Sequence, residues 1–123
     1  MSDGLPIQPY ANPARIRQVH RWLVDTWPPP GGHVSRLRVV LKMPKDYEGC
    51  VGVTVWNDTG GTMIWCRHDG PSSTLDTLLH EYAHVITDGA GICGGHGNKF
   101  YLKLGEIERA FHYQGGMDAS KTF

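Results

Sequence analysis

The sequence predicts an α+β fold in which an N-terminal helix precedes a small three-stranded sheet and two further helices follow it. Apolar residues recur at helical intervals near the N-terminus, three runs rich in Val, Ile, Thr and Trp come next, and helical spacing then returns. With 123 residues, the chain is long enough for one domain with a buried core and too short for two of ordinary size.

The first helix is marked by a capping pair and by a proline stop. Asn12 and Pro13 form an N-cap with proline at the first helical position, and the three prolines at 28–30 end the pattern. The apolar positions between them are Ile16, Val19, Leu23 and Trp27. We therefore expect a domain over residues 12–116, with a flexible arm at 1–11 before it and a tail at 117–123 after it.

Residues 37–43, 51–56 and 62–68 are predicted as the three strands. The sequence Asn-Asp-Thr-Gly-Gly at 57–61 predicts a hairpin loop between the second and the third. Valine occupies every other position in the second strand, so one face of it is expected to pack on the helices. The third strand directly precedes the next helix, and we expect it to form the sheet edge beside a cleft.

The second helix follows a turn at residues 70–71. Ser73 is the expected N-cap with Asp76 as its capping-box partner, and Gly89 is the expected left-handed stop. The helix is strongly apolar, at Leu75, Leu78, Leu79, Tyr82, Ala83 and Ile86.

The last helix is expected to begin near Asn98 and to end at the glycines of 115–116. We interpret Gly105 within it as a point of close approach to a neighbouring helix. Its apolar positions are spaced four, three and four apart, at Phe100, Leu104, Ile107 and Phe111.

The pentapeptide from His80 to His84 places a metal-binding pattern inside the second helix. Because an α-helix turns about 100° per residue, His80 and His84 share a face and can bind one ion. Glu81 lies one step round the helix, where it can hydrogen-bond a metal-bound water as a general base. Ordinary core or surface histidines are the alternative, but an apolar helix rarely buries two histidines and a glutamate together without a metal.

A catalytic zinc usually has three protein ligands, so the two histidines need a partner. The metzincin spacing is excluded because Thr87 and Ala90 stand where a glycine and a histidine would be required. Glu106 or Glu108 of the last helix would give a gluzincin-like site. His96 is the better candidate because it begins a short His-Gly-x-x-Phe motif, and we rank Cys93 below it.

The His-Glu-x-x-His motif at 80–84, followed by His-Gly-x-x-Phe from His96, resembles the SprT-like (Spartan-type) zinc metalloprotease domain. The resemblance covers roughly residues 13–114 in element order, and the two motifs are its specific part. Family members include proteases that degrade proteins crosslinked to DNA, commonly with additional zinc-ribbon or DNA-binding segments. This chain has no four-cysteine ribbon, which favours a bare catalytic module.

The resemblance implies a minimal zincin fold that binds one zinc ion (Zn2+) through His80, His84 and His96. It also implies that Glu81 is catalytic and that Phe100 anchors the helix of the third ligand. The expected activity is hydrolysis of peptide bonds in protein substrates. In that reaction zinc lowers the pKa of its bound water to about 7, and Glu81 takes the water proton and returns it to the leaving amine.

Two other functional classes stay open. One is a non-catalytic binding module stapled by zinc, which a fourth ligand from Cys93 would favour. The other is a DNA-associated adaptor, with DNA or a DNA-bound protein as partner. The residues that it would use are Arg15, Arg17, Arg21, Trp22 and Trp27, although the spacing of the two tryptophans favours a place in the core.

Composition restricts the remaining choices. Twelve basic residues balance twelve acidic ones, so net charge gives no argument for nucleic-acid binding, although residues 1–48 hold a small basic excess. Three cysteines form no disulfide framework, so we expect Cys50 and Cys66 to be reduced, small buried groups. The sequence contains no signal peptide and no membrane-spanning run, so we expect a cytoplasmic protein.

Overall fold

Three helices and a three-stranded sheet form in the order expected from the sequence. The computed structural model describes residues 13–57, 61–68, 71–87 and 97–113. The helices are α1 (Pro13–Thr26), α2 (Pro71–Thr87) and α3 (Asn98–Tyr113), and the strands are β1 (Ser35–Val40), β2 (Gly52–Trp56) and β3 (Thr62–Arg67). Short 3-10 turns flank β1 at Pro30–Gly32 and Lys45–Tyr47. The predicted α+β fold class is confirmed.

Some expected features fall outside the described residues. These are Asn12 as an N-cap, Gly89 as a helix stop, the glycines at 115–116 and the two terminal segments. Within the described residues, no helix is both long enough and apolar enough to cross a membrane.

Strand β3 lies at the centre of the sheet, between β1 and β2. It runs parallel to β1 and antiparallel to β2. The expectation that the third strand forms an edge is therefore wrong: the chain passes from β1 past the position of β3 to the far edge, and the hairpin then returns β3 into the gap. Strand β2 therefore forms the edge of the sheet that lies next to α2.

The ends of β1 also differ from the expected range of 37–43. The strand begins at Ser35 and ends at Val40, where the backbone N–H of His68 donates to the Val40 carbonyl oxygen at 2.7 Å. The chain then leaves the sheet, since Leu41 is 83 % exposed and Met43 is buried. Pairing with β3 sets the length of β1, because Val40 pairs with Arg67, the last residue of β3.

The helices cover one face of the sheet. In β3, Thr62, Ile64 and Cys66 are buried, and the alternate residues Met63 and Trp65 are half-buried on the other face. Strand β1 contributes Leu37 and Val39 to the helix side. The main core therefore lies between this face and the apolar sides of the helices, and includes Ile16, Val19 and Leu23 of α1.

Helix α2 carries the centre of that core. It begins at Pro71, so Ser73 lies inside the helix and is not its N-cap; proline suits the first turn because the N–H that it lacks has no intrahelical partner there. Tyr82 is fully buried, and its hydroxyl donates to the Trp27 carbonyl oxygen at 2.6 Å. This bond joins α2 to the end of α1.

Helix α3 packs on α2 and α1 through the apolar positions expected from its spacing. Phe100 and Ile107 are buried, and Phe111 contacts the ring of Trp22 with 6.0 Å between ring centres. Trp22 and Trp27 are half-buried against the core, as their spacing indicated. The interpretation of Gly105 is wrong, because a Cβ built there would meet only the guanidinium end of Arg109, at 3.6 Å, and no part of another helix.

His20 forms a polar link between α1 and the sheet. Its Nε2 lies 3.0 Å from Ser35 Oγ, and its ring makes an edge contact with Tyr82. Burial, with a smaller contribution from the positive charge of Arg21, lowers the pKa of His20 from 6.5 to about 4. Between these two values the unfolded chain binds the proton and the folded protein does not. The contribution of His20 to stability is therefore complete above about pH 6.5 and falls as the pH drops towards 4.

We predict that the free energy of unfolding falls less between pH 6.5 and pH 4 in His20→Gln than in the wild type, by on the order of 1–2 kcal/mol. The measurement is urea denaturation of metal-free protein at several pH values. His112→Gln, at an exposed position on α3, is the matched control and should follow the wild-type curve. Identical slopes for His20→Gln and the wild type would contradict the prediction.

Candidate metal centre

One face of α2 presents two imidazoles and a carboxylate to the same side. His80 and His84 are one turn apart, and their ring centres are separated by 5.1 Å. Two imidazoles that bind one tetrahedral zinc through nitrogens at about 2.0–2.1 Å place their ring centres roughly 5 Å apart. The spacing therefore suits two ligands of a single ion, as the i, i+4 pattern predicted.

These side chains line a cleft between α2 and the edge of the sheet. The cleft has a volume of about 470 Å3, and its opposite wall is the segment 49–54, which leads into β2 and forms its first half. Asp76 and Thr77 extend the helical wall towards the start of α2. The two imidazoles and Glu81 thus meet a space large enough for a short stretch of substrate.

Glu81 lies deep in this cleft, with 7 % of its surface exposed. The Thr54 hydroxyl on β2 donates to Glu81 Oε1 at 2.7 Å. Burial raises the pKa of Glu81 above its ordinary value because it disfavours the charged form, and the Thr54 hydrogen bond acts in the opposite direction. A carboxyl group with a raised pKa exchanges protons more readily near neutral pH than an ordinary glutamate does, which suits a general base.

Gly52 allows α2 and β2 to approach each other at this point. A Cβ built on Gly52 would collide with Cγ2 of Thr77 and would lie 3.2 Å from both Cγ and Oε2 of Glu81. Any larger residue would therefore push the helix, or the glutamate, away from the strand. The face of β2 that meets α2 is the one with Gly52 and Thr54, not the valine face.

Phe100 connects α3 to the two histidines. Its ring stacks on His84, with 4.4 Å between ring centres and 28° between planes, and makes an edge contact with His80 at 4.9 Å. Phe100 is 1 % exposed. The aromatic ring thus restricts the orientation of both imidazoles and fixes the start of α3 against them.

For an ion at His80 and His84, the described residues supply no third ligand. Those residues contain no group of three His, Cys, Asp or Glu side chains arranged to hold an ion. Glu106 instead accepts hydrogen bonds from Lys103 and from Trp27 Nε1, and Glu108 is exposed, so the gluzincin-like alternative has no support. His96 and Cys93 lie outside the described residues, and the prediction for each stands untested.

Other polar groups near the site have the surroundings of packing or surface residues. The Tyr82 hydroxyl is occupied by the Trp27 carbonyl, so Tyr82 packs and does not face the cleft. Tyr101 is 57 % exposed. Cys66 is buried in β3, where burial and the nearby charge of Glu81 raise the pKa of its thiol to about 12. Cys50 is half-buried in the cleft wall, two residues before β2, and is not fully buried as expected.

Comparison of the chain with family models, curated proteins and solved structures found no significant match. The case for the site therefore rests on the geometry of the residues themselves.

Gly52→Ala is predicted to destabilise the protein by about 1–3 kcal/mol, because the new methyl group overpacks the contact with α2. Thr77→Ser removes the methyl group that the alanine would strike, so the double variant should recover a large part of the loss. Gly49→Ala is the matched control: it lies in the same cleft wall, and its Cβ would meet nothing within 4 Å.

The measurement is the free energy of unfolding in urea for the four variants and the wild type. Additive effects of Gly52→Ala and Thr77→Ser, or an equal loss for Gly49→Ala, would contradict the close approach at Gly52.

Proposed function

We propose that this chain is a zinc-dependent metallopeptidase that hydrolyses peptide bonds of protein substrates with Glu81 as general base. The observation that carries the proposal is a buried glutamate beside two imidazoles whose ring centres are 5.1 Å apart, all in one cleft. The proposal agrees with the resemblance to the SprT-like domain and with a minimal zincin architecture.

His80, His84 and His96 would hold the ion. The described pair supports this assignment through its spacing, and His96 is favoured because Gly97, the next residue, leads within one turn to Phe100, which packs on both rings. When bound, zinc would supply a water of lowered pKa and a positive charge to polarise the scissile carbonyl. Three imidazole ligands would leave one coordination position open for that water.

Glu81 is suited to move protons at this position. Its carboxylate accepts the proton of the attacking water, and the protonated carboxyl then donates it to the nitrogen of the leaving amine. Burial raises the pKa of Glu81, which makes the first transfer more favourable than for an exposed glutamate. Phe100 and the α2 backbone keep the neighbouring imidazoles fixed while this happens.

The cleft favours an extended peptide as substrate. Its wall is the edge strand β2, which has no strand partner on its outer side among the described residues. A peptide can pair with such an edge through backbone hydrogen bonds, which tolerate many side chains. Recognition through the backbone would give broad sequence specificity.

We expect Glu81→Gln to retain zinc and to lose peptidase activity by about 10²–10⁴-fold, because the amide keeps the shape of the side chain but cannot accept a proton. Metal content and cleavage of unfolded protein substrates are measured together. Glu108→Gln, the same substitution at an exposed site on α3, is the control and should match the wild type. His84→Ala and His96→Ala should each lose the metal.

Three outcomes separate the functional classes. Zinc in the wild type and in Glu81→Gln, with cleavage by the wild type alone, supports the metallopeptidase. Stable zinc binding without cleavage by the wild type supports the zinc-stapled binding module. A wild-type protein that binds no zinc contradicts both.

A second candidate function, association with nucleic acid, is favoured by the outer face of the sheet. Arg36 and Arg38 are exposed on β1, and the guanidinium of Arg38 lies 5.8 Å from the ring centre of Trp65 on β3. The three strands contain no acidic residue. Exposed cationic side chains beside an aromatic ring are a composition that single-stranded nucleic acids bind. This face of the sheet lies on the side opposite α1, so the arginines of α1 do not enlarge the cationic surface.

If this face binds single-stranded DNA, replacing Arg36 and Arg38 together by Gln should weaken binding and reduce the slope of log K against log salt by about 1.4, at about 0.7 per lost phosphate contact. Binding is measured by fluorescence anisotropy with a labelled oligonucleotide at several salt concentrations. Arg17→Gln with Arg21→Gln, at exposed sites on α1, is the charge-matched control. An equal effect of the two pairs would contradict a specific role for the sheet face.

A further inference from the structure

Thr54 is the residue on the sheet that touches the proposed general base directly. It lies on β2, is 3 % exposed, and faces α2 across the point where Gly52 lets the two elements approach. Its hydroxyl has one proton to donate. Glu81 Oε1 is at 2.7 Å and the Glu81 carbonyl oxygen is at 3.2 Å, so the shorter contact to the carboxylate is the main hydrogen bond.

This hydrogen bond makes the two oxygens of Glu81 different. Oε1 is held by Thr54, whereas Oε2 lies over Gly52, at 3.2 Å from the position that a Cβ would occupy there. Gly52 and Thr54 both line the cleft, and because the Thr54 hydroxyl engages Oε1, Oε2 is the oxygen left to accept a proton from a water in the cleft. Oε1 keeps a lone pair for the Thr54 proton whether or not Oε2 carries a proton.

We infer that Thr54 is a positioning residue for the reaction: it anchors Oε1 of Glu81, so that Oε2 receives the proton of the attacking water and passes it to the leaving amine. The inference rests on the proposed peptidase function. No bond to Thr54 forms or breaks in the reaction, and the hydroxyl keeps its own proton throughout.

The need for such an anchor follows from the length of the glutamate side chain. Three rotatable bonds separate the carboxyl group from the helix, and a displacement on the order of 1 Å at a reacting group can lower a rate about 100-fold. The neighbouring Gly52 has no side chain that could restrain the carboxyl group. Thr54 therefore supplies a restraint from the strand that the helix alone does not provide.

The test compares Thr54→Val with Thr54→Ser in the zinc-loaded protein. Valine keeps the shape of threonine without the hydroxyl, and serine keeps the hydroxyl without the methyl group. We expect Thr54→Val to lower kcat by about 10–100-fold with KM changed less than about 2-fold, and Thr54→Ser to keep kcat within about 3-fold of the wild type. Zinc content should be the same in all three proteins.

Thr62→Val is the matched control. Thr62 is a buried threonine on the neighbouring strand β3, and its hydroxyl has no hydrogen-bond partner within the described residues. This variant should cleave like the wild type, so a fall in kcat confined to Thr54→Val would not be a general effect of removing a buried hydroxyl from the sheet.

A readout independent of activity tests the contact itself. A double-mutant cycle combines Thr54→Val, which removes the donor, with Glu81→Ala, which removes the acceptor, and follows the urea unfolding of the metal-free proteins. A hydrogen bond between the two side chains makes their effects non-additive, and additive effects would overturn the inference.

The kinetic outcomes keep this inference distinct from the proposed function. If the wild type cleaves and Thr54→Val cleaves equally well, the role of Thr54 is refuted and the peptidase stands. A low kcat in Thr54→Ser as well as in Thr54→Val would also refute it, since the hydroxyl alone should be sufficient. If the wild type binds zinc but does not cleave, both proposals fail.

Discussion

The close crossing of α2 over the edge of the sheet is the constraint on which the rest of the site depends. Glu81 can be buried next to a partner on β2 only because the strand has no side chain at Gly52. The same crossing brings Thr54 within hydrogen-bond distance and forms the inner end of the cleft. A buried carboxylate without a partner is strongly unfavourable, so the packing of helix on strand and the chemistry of the glutamate depend on each other.

Features that depend on local periodicity were predictable from the sequence. Helix α1, the antiparallel pairing of β2 with β3 and the apolar face of α3 follow from spacing and turn residues, which act over a few residues along the chain. The shared face of His80 and His84 belongs to the same class, because four residues of helix fix their relation. The family resemblance implied that Phe100 anchors the helix of the third ligand. Its contact with both imidazoles depends on the packing of α3 on α2, which local spacing does not predict.

Features that depend on distant parts of the chain were not predictable. The central position of β3 results from pairing with β1 more than twenty residues earlier, which no local pattern encodes. Likewise, both Gly52 and Gly105 lie within regular elements, yet of these two only Gly52 meets another element, whereas Gly105 faces the end of the Arg109 side chain in its own helix. The role of Thr54 was missed for a related reason: the valines of β2 suggested that the core lies on their side. A Gly and a Thr together on the opposite face of an apolar strand were the available signal.

The position of β2 has a consequence for how the protein behaves in concentrated solution. Edge strands are commonly shielded from one another by lysine, proline or a bulge, and the five residues Gly52–Trp56 include no charge and no proline. Val51, next to the strand, is 50 % exposed. A second molecule that aligned its own strand here would cover the wall of the cleft and use the same backbone groups as a bound peptide. Pairing of a second molecule with this edge and binding of a peptide there, as in the proposed function, would therefore be mutually exclusive, so a high protein concentration would compete with peptide binding.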